Sequence, residues 1–66
     1  MKMIYTVLVY ENYTAQLESL LNRFRVNLND WDRSKVFDLT GARLVNYTIA
    51  CTEDIYVSIT NLMYAN

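Results

Sequence analysis

Histidine and proline are absent from this 66-residue sequence, which contains one cysteine, Cys51, and one glycine, Gly41. Without histidine, the chain lacks the usual general base of nucleophilic catalysis and the common zinc ligand sets. A single cysteine cannot close an internal disulfide, and one glycine cannot form a glycine-rich phosphate-binding loop. The sequence therefore predicts a chain that is not an enzyme and that holds no catalytic residue, metal or cofactor.

Charged residues are few and balanced in sign. Six lysines and arginines stand against seven acids, which gives a net charge of −1, and several acids interleave with the bases. Affinity for nucleic acid depends on a basic surface, so nucleic-acid binding is a weaker hypothesis here, although aromatic side chains on a sheet can stack bases.

Long apolar runs are also missing. The longest uncharged one, Met3–Tyr10, is much shorter than the roughly 20 residues of a membrane-spanning helix. We therefore expect no membrane partner. The lone cysteine and the lack of a signal-peptide pattern lead us to expect a cytoplasmic protein.

Apolar and aromatic residues dominate what is present, at 53% and 14% of the sequence. Such a composition predicts a folded chain, and its length suits one small α+β domain covering residues 1–66. Small domains usually need support from disulfides, metals or self-association. Since the first two are excluded, we expect the chain to associate with itself or with another protein.

The spacing of apolar residues predicts a strand, a helix and then two further strands. The first ten residues are apolar on both faces of a strand. Apolar residues between Tyr13 and Leu28 then recur at helical spacing behind Asn12, which is a plausible N-cap. The predicted elements are a strand at 2–10, a helix at 13–26, a loop at 27–34, a strand at 35–39, a hairpin turn at 40–42 and a strand at 43–51.

Residues 52–66 admit two interpretations. Thr52 followed by Glu53 and Asp54 is typical of a helix start, and apolar residues from Ile55 onward recur at helical spacing. Yet the segment is rich in β-branched residues, and its isoleucines and valine also alternate as they would in a strand. We predict a helix and keep a strand as the alternative.

The predicted order is strand, helix, strand, strand, helix, with both helices on one face of the sheet. This order resembles a ferredoxin-like unit without its last strand, and the pattern is similar to that of ACT-type regulatory modules. The segments that carry this second resemblance are Tyr5–Val9, Leu17–Phe24, Val26–Leu28, residues 43–51 and Thr52–Asp54. The resemblance implies a domain that senses a small ligand at the connection Glu11–Ala15. At this connection the family commonly has a glycine, whereas this chain has Asn12, Tyr13, Thr14 and Ala15 there.

The first strand is apolar on both faces, and the helices can cover only one of them. Its two rows are Tyr5, Val7 and Val9 on one side and Ile4, Leu8 and Tyr10 on the other. We expect the uncovered row, together with Leu44 and Ala50 of the third strand, to contact a partner, because exposed apolar patches are unusual on monomers. That partner is expected to be a second copy in a two-fold dimer.

Aromatic residues extend the candidate contact set because tyrosine and tryptophan are enriched in protein interfaces. Trp31 lies in a polar segment, where it either caps the core or anchors a partner. The predicted partner-binding residues are Ile4, Leu8, Tyr10, Trp31, Leu44 and Tyr47.

Surplus apolar surface without a catalytic motif favours a protein–protein interaction module that acts as an inhibitor or adaptor. The size and the scarcity of glycine and proline also resemble accessory proteins of phages, which commonly bind and inhibit a host protein. The alternative function is the ligand-sensing regulatory domain that the ACT resemblance implies.

Overall fold

A computed structural model describes residues 1–64, which form a three-stranded antiparallel sheet with two helices packed on one face. This arrangement confirms the predicted α+β class. Residues 65–66, the end of the predicted C-terminal helix, lie outside the described residues. The elements are β1 (Met3–Tyr10), α1 (Thr14–Arg23), β2 (Trp31–Phe37), β3 (Arg43–Cys51) and α2 (Glu53–Tyr64), with short 3-10 turns at Glu11–Tyr13 and Leu28–Asp30.

The last strand in the chain, β3, lies in the centre of the sheet. It pairs antiparallel with β1 on one side, where Val7 faces Tyr47, and with β2 on the other, where Arg33 faces Tyr47. The two outer strands therefore run parallel to each other, and α1 carries the chain between them.

The core lies between the sheet and the two helices. Every second residue of β3 from Val45 to Cys51 is buried, as the alternation of a strand with one covered face requires. In α2 only Ile59 is fully buried, with Ile55 and Met63 partly buried beside it. The buried residues are Val7, Val9, Leu17, Leu20, Leu21, Val45, Tyr47, Ile49, Cys51 and Ile59.

The first helix is shorter than the predicted 13–26 at both ends. The chain leaves β1 through a 3-10 turn, so α1 begins at Thr14, whose hydroxyl donates to the Glu11 carbonyl over 2.9 Å. The prediction that Asn12 caps the helix is wrong, because Asn12 lies inside the 3-10 turn and the capping position, Tyr13, makes no side-chain cap.

A left-handed residue ends α1. Arg25 has a φ of 59°, the Arg25 amide donates to the Asn22 carbonyl over 3.1 Å, and the Val26 amide donates to the Leu21 carbonyl over 2.9 Å. These two bonds form a Schellman motif, which satisfies the last carbonyls and turns the chain away. The helix therefore ends at Arg23.

The second strand begins four residues earlier than predicted. Trp31 to Ser34, expected in a loop, pair with β3, and Asp38 and Leu39, expected in the strand, lie in the turn. The Asp38 carboxylate accepts hydrogen bonds from the Thr40 hydroxyl, the Thr40 amide and the Ala42 amide at 2.6–2.9 Å. Gly41 completes this turn with a φ of 83°, a conformation that glycine adopts at no steric cost.

The helical interpretation of the last segment is confirmed as far as Tyr64. The helix starts directly after Thr52, as the cap-and-acid pattern predicts. The Thr52 hydroxyl and the backbone amides of the first turn hold the pKa of Asp54 below its usual value, since both stabilise the carboxylate. Neither helix within residues 1–64 is long and apolar enough to cross a membrane.

Candidate functional site

The sheet face opposite the helices, called the open face below, carries no helix within residues 1–64. It consists of the residues that alternate with the buried ones on β1 and β3, and of the β2 residues that stand opposite them in the register. Within the strands, Asp32 is the only charged residue on this face. Its members are Ile4, Thr6, Leu8 and Tyr10 on β1, Leu44, Asn46, Thr48 and Ala50 on β3, and Asp32, Ser34 and Val36 on β2.

Three of the predicted contact residues expose half or more of their surface on the open face. The exposed fractions are 69% for Ile4, 50% for Leu8 and 56% for Tyr10. Tyr10, Leu44 and Val36 stand opposite one another in the strand register, so they form an apolar row across the whole sheet. Leu8 extends this row along β1, which makes one end of the open face mainly apolar.

A polar band separates that row from a smaller apolar spot. Thr6, Thr48 and Asp32 oppose one another across the three strands. Beyond them, Ile4 pairs with the partly buried Ala50. The open face therefore presents two apolar areas with hydroxyl groups and one carboxylate between them.

The other two predicted contact residues lie on the helix side of the sheet. Tyr47 is fully buried, so its assignment as a partner-binding residue is wrong: it shares its face with Val45 and Ile49 and belongs to the core. Trp31 is partly buried with its ring centroid 5.7 Å from that of Tyr47. Of the two roles predicted for Trp31, its position matches the one that caps the core.

A polar cluster under α1 explains how a tyrosine can occupy the core. The Tyr47 hydroxyl donates to Oε2 of Glu18 over 2.6 Å, and the Arg33 guanidinium donates to the same oxygen. Burial and then the hydrogen bond to Glu18 raise the pKa of Tyr47 to about 12. The hydroxyl therefore keeps its proton at neutral pH and serves as a structural donor.

The remaining reactive side chain is also buried. Burial, followed by the nearby charge of Asp54, raises the pKa of the Cys51 thiol. A protonated, buried thiol is a poor nucleophile. Within residues 1–64, no three His, Cys, Asp or Glu side chains come together as a metal site.

A groove lies where the end of β1 meets the two helices. Its volume is about 460 Å³, within the range of small-ligand sites. The Tyr64 hydroxyl lies 3.5 Å from the Leu8 carbonyl oxygen at this groove. The side chains that line it are Leu8, Val9, Tyr10, Tyr13, Gln16, Leu44, Met63 and Tyr64.

Sequence reasoning missed the apolar surface of α2. Val57, Leu62 and Tyr64 are 43%, 44% and 61% exposed on this helix. The signal was present in the sequence, since apolar residues between Ile55 and Tyr64 occupy more than one stripe of a helix. The alternation of Ile55, Val57 and Ile59 is also typical of a strand, so this signal does not by itself predict an exposed apolar helix surface.

Comparison with protein-family models, with curated proteins and with solved structures finds no match to this chain. The fold and surface of residues 1–64 define a small α+β protein with one sheet face that these residues leave uncovered and that is largely uncharged.

Proposed function

We propose that this protein is a non-enzymatic binding module that acts by contact with another protein, as an inhibitor or adaptor. The observation that carries the proposal is the open face, on which Ile4, Leu8 and Tyr10 are each at least half exposed. Contiguous exposed apolar surface on a small protein commonly marks an interaction site. Burying it against a partner would contribute about 25 cal/mol for each Å² of apolar area.

The chemistry of the open face defines the kind of partner. Its strands present apolar side chains, hydroxyls and one carboxylate, so the complementary surface would be flat and mainly apolar. Tyr10 would act as an anchor, because a tyrosine buries a large ring while its hydroxyl reaches the polar rim. A nucleic-acid backbone would instead require a basic surface.

Size and composition support a role such as that of phage accessory proteins, in which a small chain binds and inhibits a host factor. Two-fold self-association and a cytoplasmic location are part of the proposal. The location rests on Cys51, the lone cysteine, because disulfide frameworks are typical of oxidising compartments and this chain has none.

Capture from an extract of the cells in which the protein acts tests the proposal. Tagged wild type is compared with Leu8→Asp on the open face and with Leu28→Asp, the same change at an 81% exposed leucine elsewhere. We expect a protein that the wild type and Leu28→Asp retain and that Leu8→Asp loses. Circular dichroism of all three establishes that they are folded. Equal capture by all three would contradict the use of the open face, and turnover of a small molecule that one point mutation abolishes would contradict the non-enzymatic role.

The second candidate, a ligand-sensing domain of ACT type, is favoured by one observation. The 460 Å³ groove is lined in part by Tyr13, which belongs to the connection Glu11–Ala15 where the resemblance places a ligand. The placement of β3 between two parallel outer strands also supports a ferredoxin-like arrangement without a fourth strand.

A thermal-shift screen with amino acids and nucleotides tests this second candidate. A ligand that binds the native state raises the melting temperature by mass action. Tyr13→Ala in the groove should remove such a shift, whereas Leu28→Asp should keep it. If no amino acid or nucleotide raises the melting temperature, the result would count against ligand sensing.

A further inference from the structure

We infer that two copies of this chain pair antiparallel along the free edges of β1 and form a continuous six-stranded sheet with all four helices on one side. The inference rests on the two-fold self-association in the proposed function and places it at the edge of the sheet, whereas contact with another protein uses the open face. Pairing at the edge leaves the open face of each copy available to another protein.

The two outer strands of the sheet differ sharply in charge. Each is hydrogen-bonded to β3 on one side only. β2 carries Asp32, Arg33 and Lys35, whereas no residue of β1 is charged and none is proline. Charged side chains and prolines on edge strands are the usual means of preventing edge-to-edge pairing. β1 has neither, so it is the edge that accepts another strand, which would displace the Tyr64 hydroxyl from the Leu8 carbonyl oxygen 3.5 Å away.

The alternation of side chains restricts how β1 can pair with itself. Directly opposed residues must lie on the same face of the sheet, so the two residue numbers in each pair must sum to an even number. If the two residue numbers sum to 12, Thr6 of one copy faces Thr6 of the second copy on the two-fold axis. Ile4 of each copy then faces Leu8 of the other. Threonine pairs and apolar pairs are both favourable across antiparallel strands. This register overlaps residues 2–10 of the two copies.

Charges at the ends of β1 favour the antiparallel direction. Lys2 precedes the strand and Glu11 follows it. Antiparallel pairing brings Lys2 beside Tyr10 and Glu11 of the second copy, whereas parallel pairing would bring like charges together. Within its own chain Lys2 bonds to Asp30, next to β2, over 2.9 Å, so its ammonium group must leave Asp30 to meet Glu11 of the second copy.

The apolar surface of α2 lies on the same side of the molecule. The Tyr56 ring stacks on Tyr5 of β1 with a centroid distance of 4.0 Å, so this helix lies over the edge strand. Val57 and Leu62 on it are more than 40% exposed. A second copy paired along β1 would place its own α2 next to this helix, so one association would cover both exposed surfaces.

Sedimentation velocity at micromolar concentration tests the inference with two matched variants. Thr6 and Thr48 oppose each other on the open face, but Thr6 lies on the edge strand and Thr48 on the central strand. Wild type and Thr48→Lys should sediment as dimers, and Thr6→Lys, which places two ammonium groups together on the axis, as a monomer. A monomeric wild type would overturn the inference. So would dissociation of both variants, which would indicate dimerisation through the open face.

Cysteine crosslinking keeps the test decisive if Thr6→Lys does not fold. In the inferred register the two Thr6 Cα atoms are about 4.5–5.5 Å apart, within disulfide range. The two Thr48 Cα atoms are three strand spacings apart, about 14 Å. Under mild oxidation Thr6→Cys should form a covalent dimer, while Thr48→Cys and the wild type with Cys51 alone should not. A covalent dimer of Thr48→Cys without one of Thr6→Cys would refute edge pairing. It would not decide whether the open face binds another protein, which the capture experiment tests.

Discussion

Tyr47 links three elements through a single hydroxyl. It lies on the central strand, and its bond to Glu18 ties that strand to α1, while Arg33 brings β2 to the same carboxylate. A buried tyrosine needs such a partner, because an unsatisfied hydroxyl in a core costs about 1–3 kcal/mol. Glu18 is partly exposed and so can carry its charge at little cost.

Tyr47→Phe should lower the free energy of unfolding by about 1–2 kcal/mol, since it removes a hydrogen bond to a charged group while keeping the ring. The folded pKa of about 12 lies above the ordinary value, which is about 10. The hydroxyl's contribution is therefore complete below pH 10 and is lost as the pH rises towards 12. Urea unfolding of both proteins at pH 7 and pH 11 measures this. The difference in unfolding free energy between wild type and Tyr47→Phe should be smaller at pH 11 than at pH 7. A larger difference at pH 11 would contradict the role of the hydroxyl as a protonated donor to Glu18.

Asp38→Ala should lower the urea midpoint at pH 7, because its carboxylate accepts three hydrogen bonds in the β2–β3 turn. Those bonds, led by the one from the Thr40 hydroxyl, depress the folded pKa. The contribution is thus present above the unfolded pKa and disappears as the pH falls through the lower folded value. Asp32→Ala controls for net charge. If the difference in urea midpoint between Asp38→Ala and wild type persists in strong acid, the ionised carboxylate is not the cause of that difference.

At the scale of elements, α1 ends at a position that a glycine would suit better. Arg25 adopts φ 59° within the Schellman motif, and a left-handed conformation costs a residue with a Cβ atom about 1 kcal/mol. Arg25→Gly should therefore raise the free energy of unfolding by up to about 1 kcal/mol, whereas Arg25→Ala, which removes the charged side chain but keeps the Cβ atom, should not. Chemical denaturation measures both, and destabilisation by Gly would count against the motif.

The elements that could be predicted from the sequence are those whose side-chain pattern has only one solution. β1 and β3 match their predicted ranges to within a residue, because alternation over eight or nine residues is hard to accommodate otherwise. The acids Glu53 and Asp54 at the start of α2 also identified the helix correctly against its β-branched composition.

The boundaries that were missed depend on backbone geometry. Asn and Asp between Asn27 and Asp32 favour turns, yet pairing with β3 outweighs that preference from Trp31 onward. A glycine commonly marks the end of a helix, but in α1 that position is occupied by Arg25, so its residue type does not indicate where the helix ends. The sequence also could not show how Tyr47 is satisfied, because Glu18 is 29 residues away in the chain.

At the scale of the whole molecule, the chain exposes more surface than its size requires. Its accessible area is 4930 Å², whereas a monomeric protein of this mass typically exposes about 4,400 Å². Two helices cover one face of the sheet and leave the open face, the β1 edge and part of α2. The open-face residues Ile4, Leu8 and Tyr10 could be predicted from alternation alone, but the free edge could not, because it depends on the strand order.

The most direct test of the central claim measures whether the open face is buried in the complex with a captured partner. Methyl signals of Ile4, Leu8, Leu44 and Leu28 are recorded with a dissolved paramagnetic agent, which broadens groups that solvent reaches. All four should broaden in the free protein, with Leu44 the least because it is partly buried. In the complex, Ile4, Leu8 and Leu44 should be protected while Leu28 stays accessible. If Ile4 and Leu8 remain as accessible in the complex as in the free chain, the open face is not the binding surface.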